Sequence, residues 1–217
     1  MISIEENYKL VQDLLSKNNG IRLSPKEYER YATMASNDMF DKLIGAKNNN
    51  MTAYGVNRTL DRRLKHLRVV TPPLAVTNGR VAQPDDLQLT RSVYYMFKGA
   101  PKALRPVDED RFAFLFDDPL ASPVDEDPSY IEDNGSIRVF PTNIPTITIE
   151  YLKRPAVPKY AYTIVNRRPV FDPDNSVDFD WDKREENDLT MRILQYAAVS
   201  LQNGQMVQFT ESKQNNE

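Results

Sequence analysis

The spacing of apolar residues changes period along the chain, helical at the start, alternating through the middle and helical again near the end. Ile4, Tyr8, Val11, Leu14 and Leu15 recur at three- and four-residue steps behind Ser3, with Glu6 three residues on. That arrangement predicts a capped helix stopping at Asn18-Asn19-Gly20. Ser24-Pro25-Lys26-Glu27 sets a second start, with cap, first-turn proline and reciprocal glutamate together. Tyr28, Tyr31, Ala32, Ala35, Met39, Leu43 and Ile44 carry its stripe to Gly45, and Lys47-Asn-Asn-Asn50 is expected to be an exposed loop. A short third helix is expected to open at Asn57 or Thr59. Leu60, Leu64 and Leu67 share one of its faces, and Arg58, Arg62, Arg63, Lys65 and Arg68 crowd the rest.

The period then shortens to that of strands. Val69-Val70 and Leu74-Ala-Val76 lead to Asn78-Gly79, a strong two-residue turn signal, and Arg80-Val-Ala resumes. Leu87 to Phe97 is the longest predicted strand, its alternation interrupted at Arg91, Tyr94 and Met96. Arg111-Phe-Ala-Phe-Leu-Phe116 fits strand or helix by period; its acidic start and the later Pro119 favour a short helix. Tyr130-Ile131 and Ile137-Arg-Val-Phe140 flank Asp133-Asn-Gly135, a second hairpin signal.

Residues 145–202 read as one construction. Thr146-Ile-Thr-Ile-Glu-Tyr-Leu152 alternates like a strand with one wet face and is stopped by Pro155 and Pro158. A hairpin is predicted from 160–165 and 169–171 around Asn166-Arg167-Arg168, then a last strand over 176–181 with Val177, Phe179 and Trp181 on one face. Asp182 and Glu185 form an Asp-x-x-Glu box ahead of a helix bearing Leu189, Met191, Ile193, Leu194, Tyr196, Ala198 and Leu201. Nearly its whole circumference is apolar, so it needs cover, and the N-terminal helices are the available partners. The expected class is α+β: residues 1–66 with 183–203 as a helical bundle beside a central antiparallel β-sandwich or sheet at 67–182, with 204–217 a flexible tail.

Composition narrows the chemistry. The 217 residues carry a net charge of −3, which gives no general pull toward nucleic acid. With no cysteine, disulfides, thiolate metal sites and thiol nucleophiles are excluded, in keeping with a reducing compartment. Neither an export signal nor a membrane-spanning run is apparent, so a soluble chain is expected. Seven glycines and no phosphate-loop or dinucleotide pattern leave little backbone for cradling phosphate. The sole histidine, His66, has no evident carboxylate partner in sequence, and no catalytic residue, cofactor or metal ligand is assigned. Asp172-Pro-Asp-Asn-Ser-Val-Asp178 begins like a calcium loop, but Val177 stands where glycine is required and Lys183 where the glutamate would be, so a turn is the better reading.

Pro106-Val-Asp-Glu-Asp110 is echoed by Pro123-Val-Asp-Glu-Asp127, too short a match for a domain repeat. The basic helix residues Arg58, Arg62, Arg63 and Lys65 and the acidic Asp108, Asp110, Asp125 and Asp127 are opposite charges that two copies of the chain could bring together; they are the candidate interface residues.

The order of motifs adds to this. Gln83-Pro-Asp-Asp86 precedes the long strand, and Ile137-Arg-Val-Phe-Pro141 follows a hairpin. Next come Ile149-Glu-Tyr-Leu-Lys-Arg-Pro155 with Pro158, and then Ser176-Val-Asp-Phe-Asp180 before an acidic-capped helix with Ile193-Leu194. From about Leu67 to Leu201 the chain resembles the neck, or head-to-tail connector, proteins of tailed bacteriophages, in particular ring and adaptor proteins of crAss-like and other Bacteroidetes phages, and more distantly the tubular-A type adaptors of short-tailed phages. The resemblance implies no catalysis and a closed ring of about twelve copies. It also implies a seat between portal and tail, contact with other neck or tail proteins, and passage of phage DNA without sequence-specific binding. The expected location is the virion neck, after assembly in the bacterial cytoplasm and without a membrane. Two rivals stand beside it: a carbohydrate- or peptide-binding β-sandwich of a fibre or surface apparatus, using Tyr94, Tyr160 and Tyr162 as a platform, and a hydrolase using Asp108 or Asp125.

Overall fold

In chain order the elements are α1 (Ile4–Asn19), α2 (Pro25–Asn49), β1 (Arg68–Val70), β2 (Leu74–Ala75), β3 (Arg80–Ala82), β4 (Leu87–Phe97), β5 (Ala100–Ala103), β6 (Arg105–Pro106) and α3 (Glu109–Leu115). They continue with β7 (Ser129–Asp133), β8 (Ser136–Phe140), β9 (Thr146–Lys153), β10 (Tyr162–Val165), β11 (Arg168–Phe171) and α4 (Glu186–Ser200). The class is α+β, as expected. The structure is a computed structural model and describes residues 1–19, 22–49, 61–115, 122–166 and 168–200. The chain divides into two units: Met1–Leu67 with everything from Pro155 onward, and Arg68–Arg154.

In the first unit the local signals act as written. Glu27 N donates to Ser24 Oγ at 3.3 Å, while Glu27 Oε2 accepts from the Ser24 amide at 2.9 Å and its hydroxyl at 2.7 Å, a complete capping box for α2. That helix runs past Gly45 to Asn49, so residues 47–49 are helical where a loop was expected. A lone glycine costs about 1 kcal/mol relative to alanine, too little to stop a long helix. The expected third-helix start at Asn57 or Thr59, and the tail after 204, lie outside the described residues. Residues 61–63 are helical, and a 3-10 turn at Lys65–Leu67 follows, with Leu64 and Leu67 fully buried.

α4 packs on α2 and α1 and buries Leu189, Ile193, Leu194, Ala197 and Ala198. The closing helix therefore takes its cover from the opening ones. Between them runs the segment expected to be a strand at 176–181. It makes single bridges only, Val177 to Lys159 and Phe179 to Ile2. Its carboxylates are used instead to hold backbone: Asp178 Oδ1 accepts from the Ile4 amide at 2.9 Å and Asp180 Oδ2 from the Ala156 amide at 3.0 Å. Phe179 and Trp181 are fully buried and Val177 is exposed, so the common face holds for two of the three. Burying each ring stabilises the unit by roughly 2–3 kcal/mol. Trp181 Nε1 also donates to Ser36 Oγ at 2.9 Å.

The β10–β11 hairpin belongs to this unit too. Tyr160 stacks with Tyr8, centroids 4.5 Å apart, and with Phe171 at 5.0 Å. Residues 155–182 thus go with the helices, and the β unit ends at Arg154, not at 182.

The second unit is built on β9, which pairs antiparallel with β1 and β2 on one side and β4 on the other, with β5 beyond β4. A second sheet has the order β3-β8-β7-β6, antiparallel except for the parallel β6–β7 pair. Ile147, Ile149 and Tyr151 of β9, Val93 and Tyr95 of β4, Val81 of β3 and Ile137 and Val139 of β8 enter one core. The register of β4 shifts between Thr90 and Ser92, skipping Arg91, where the alternation breaks. Asn78 and Gly79 both have positive φ, as a two-residue turn requires, and Thr77 and Arg80 exchange both backbone bonds. The turn hands the chain from β2 in one sheet to β3 in the other.

Candidate assembly interface

Each charged residue expected at an interface has its own local setting. Arg62 and Lys65 are exposed, and Arg58 lies outside the described residues. Arg63 is committed inside its own unit: its Nε lies 2.9 Å from both Glu185 oxygens, and its Nη2 bonds Glu185 and, at 3.1 Å, Asp188. The chain of charges continues from Asp188 to Arg192 Nε at 3.1 Å and from Arg192 Nη1 to Asp38. Glu185 and Arg192 are buried. Hydrogen bonding to Glu185, ahead of the opposing effect of burial, raises the guanidinium of Arg63 above its ordinary pKa.

This arrangement corrects the expected capping box at the last helix. Asp182 does cap, accepting from the Arg184 amide at 3.0 Å, but it caps a 3-10 turn at Lys183–Glu185. Glu185 turns toward Arg63 instead of reaching back. The Asp182 carboxyl is held below its usual range, first by the Arg184 amide and then by His66. His66 Nε2 lies 3.1 Å from Asp182 Oδ2, a partner separated by too much sequence to be seen there.

The two acidic echoes in the β unit take different shapes. In the first, the Asp108 carbonyl accepts from the Arg111 amide at 3.0 Å and the chain enters α3, the expected short helix. In the second, Asp127 N donates to the Val124 carbonyl at 3.0 Å, closing a tight turn. The Tyr95 hydroxyl donates to the Asp125 carbonyl, and Asn143 Nδ2 to Asp125 Oδ1 at 2.9 Å. Burial first, and then the Asp125 and Glu126 charges, push the Tyr95 phenol above its ordinary value. Arg105 stands 3.6 Å from Asp127 and Lys98 3.8 Å from Glu126. Asp108, Asp110, Asp125 and Asp127 are all exposed.

The rival chemistries find little here. Tyr160 is buried in the ring cluster, so the platform of Tyr94, Tyr160 and Tyr162 does not form. Among the described residues no group of three or more histidine, cysteine or carboxylate side chains is placed to hold a metal. Residues 172–178 form a turn in which Asp172 accepts from the Asp174 amide at 3.2 Å and the Asn175 side chain at 2.8 Å. No helix among the described residues is long and apolar enough to cross a membrane.

The ordered motifs likewise serve the fold. In Gln83-Pro-Asp-Asp86, the Pro84 carbonyl accepts from the Leu87 amide at 3.1 Å, and Asp86 Oδ1 accepts from the Tyr151 hydroxyl at 2.7 Å. The feature that sequence reasoning missed is the exposure of the β10–β11 hairpin, where seven of eight residues face solvent. The signal was present: Tyr162-Thr-Ile-Val165 has no polar alternation, so no face of that strand is marked as the wet one.

The ordered motif residues are spent on turns and backbone latches, and the class of the protein, a phage adaptor, comes from its family. The chain belongs to the SU10 adaptor protein family, whose model matches residues 29–209. No curated protein matches it. Membership makes it a structural virion component that works against other phage capsid or tail proteins.

Proposed function

We propose that the chain forms a closed ring in the neck of a tailed phage, about twelve copies linking portal to tail around the channel through which DNA leaves. The observation that carries this reading is the family match, which spans parts of both units. The ordered motifs favour an adaptor of the kind found in crAss-like phages. A ring needs two different, complementary surfaces on every copy, repeated until the circle closes. Exposed Arg62 and Lys65 on one unit and exposed Asp108, Asp110, Asp125 and Asp127 on the other supply opposite charge. Arg63 contributes inside its own unit through Glu185 and Asp188, so Arg62 and Lys65, with Arg58 beside them in sequence, are the basic residues to test. The acidic loops also suit a channel wall, since negative charge keeps passing DNA from sticking. No reaction is assigned to the protein.

Mixing the purified chain with the portal protein of the same phage tests the reading. Co-elution in size exclusion as a complex with several copies per portal is the expected result, and charge reversal at Arg58, Arg62 and Lys65 together is expected to impair assembly. Independent elution of the two proteins at every ratio would refute the portal link.

A further inference from the structure

The β10–β11 hairpin is a two-stranded sheet among the described residues. Such pairs are at best marginally stable in water unless something packs on them. Its base is held: Phe171 stacks on Tyr160, and the Asp172 amide donates to the Ala161 carbonyl at 2.9 Å. Its far end is bare on both faces. Cross-strand partners share a face, which puts Ile164 opposite Pro169 on one side and Thr163 opposite Val170 on the other. Ile164 is 73% exposed, and Val165 and Val170 are about half exposed. Exposed β-branched residues on both faces of a short sheet mark a surface that is covered in use.

Charge says what covers it. The turn end is basic, with Asn166-Arg167-Arg168 in sequence and Arg168 exposed. The 123–127 turn of the β unit has the opposite design: Val124, 53% exposed, beside the exposed carboxylates of Asp125, Glu126 and Asp127. Tyr95 and Asn143 fix that turn in place, so little ordering is left to occur on contact. Arg105 and Lys98 lie 3.6 and 3.8 Å from it at exposed positions, where ion pairs are weak and readily exchanged. A second copy of this chain therefore offers an apolar and acidic seat for an apolar and basic tip.

We propose that the β10–β11 hairpin of one copy seats on the 123–127 turn of its neighbour through the face that Val165, Arg168 and Val170 share, Val165 against Val124 and Arg168 against the three carboxylates. The contact rests on the ring reading, gives the 123–127 turn to the hairpin and leaves Asp108 and Asp110 as the carboxylates for Arg62 and Lys65. It is heterologous, so it repeats around a ring and leaves no copy's hairpin bare.

The chain has no cysteine, so a full-length V165C/V124C variant carries one reactive pair. Cross-linking with a short bis-maleimide is expected to give a ladder of covalent dimers, trimers and higher species on a denaturing gel. Arg168→Glu in that background is expected to reduce the ladder at least about tenfold, and reversing Asp125, Glu126 and Asp127 to lysine as well is expected to restore it. Thermal unfolding checks that each variant is folded. Oligomers that persist by light scattering while the pair stays unlinked, or links only within one chain, overturn the hairpin contact and leave the ring reading standing. Unsubstituted protein that scatters as a monomer, even with portal present, overturns both.

Discussion

Asn7 Nδ2 donates to Thr190 Oγ1 at 2.8 Å in a buried site that joins α1 to α4. The Tyr28 hydroxyl of α2 donates to Asn7 Oδ1 at 2.7 Å, and the Thr190 hydroxyl donates in turn to the Glu186 carbonyl at 2.6 Å. Three helices are thus registered by one polar chain, and removing a member leaves partners buried and unpaired. Asn7→Ala is expected to lower stability by about 2–4 kcal/mol, measured by urea unfolding. A loss below about 0.5 kcal/mol, within the range of an ordinary surface change, would contradict this account.

The charge chain Glu185, Arg63, Asp188, Arg192, Asp38 makes a second prediction. Arg63→Ala strands the buried Glu185 carboxylate and is expected to cost about 3–5 kcal/mol. Arg192→Ala should cost less, since Asp188 keeps Arg63 and Asp38 is half exposed. The order of the two urea midpoints checks it; a lower midpoint for Arg192→Ala would contradict the account.

Stability is expected to fall at both ends of the pH scale, for different reasons. Burial raises the phenols of Tyr130 and Tyr151 to about 12, Asp86 adding to the effect on Tyr151, and lifts Tyr28 well above its ordinary value. A folded-state value above the unfolded one of about 10 favours the neutral form, so the contribution is complete below that pH and is lost as pH rises toward the folded value. Glu27 is held low first by the Ser24 hydroxyl, and Asp182 by the Arg184 amide. Their contributions are present above the unfolded carboxylate value of about 4 and disappear as pH falls through the folded one. Urea midpoints from pH 2 to 12 test both limbs, and Tyr151→Phe should flatten the alkaline one. A midpoint that stays level from pH 9 to 12 would rule the tyrosine account out.

Gly79 combines a φ of 71° with a crowded site: an added Cβ would lie 2.8 Å from Thr142 Cγ2. Gly99 has a φ of 84° and open space around it. Gly79→Ala is therefore expected to destabilise the β unit by more than the roughly 1 kcal/mol of backbone strain expected at Gly99→Ala. Matched thermal melts of the two variants decide it.

What the sequence made legible was local. Ser24 with Glu27, Asn78-Gly79, Asp133-Asn-Gly135 and the run from Leu87 to Phe97 each carry their instructions within a few residues, and each forms the predicted element. Long-range choices were not legible. Glu185 had two possible partners, the nearby cap or a guanidinium 122 residues earlier in the chain, and only the fold brings the second within reach. The carboxylates of Asp178 and Asp180 looked like the wet face of a strand, yet they bind amides of Ile4 and Ala156. β5 and β6 were missed because each contains a proline, and both lie at sheet edges, where proline is tolerated. Among the candidate interface residues, Arg62, Lys65 and the four aspartates are exposed, while Arg63 could be told apart from them only once Glu185 and Asp188 were seen beside it.

The most direct test of the account is the mass and symmetry of the purified full-length protein, read by native mass spectrometry and negative-stain imaging with and without its portal. Closed rings of one dominant copy number are the predicted result. A protein that stays monomeric at every concentration and beside its portal would contradict the account.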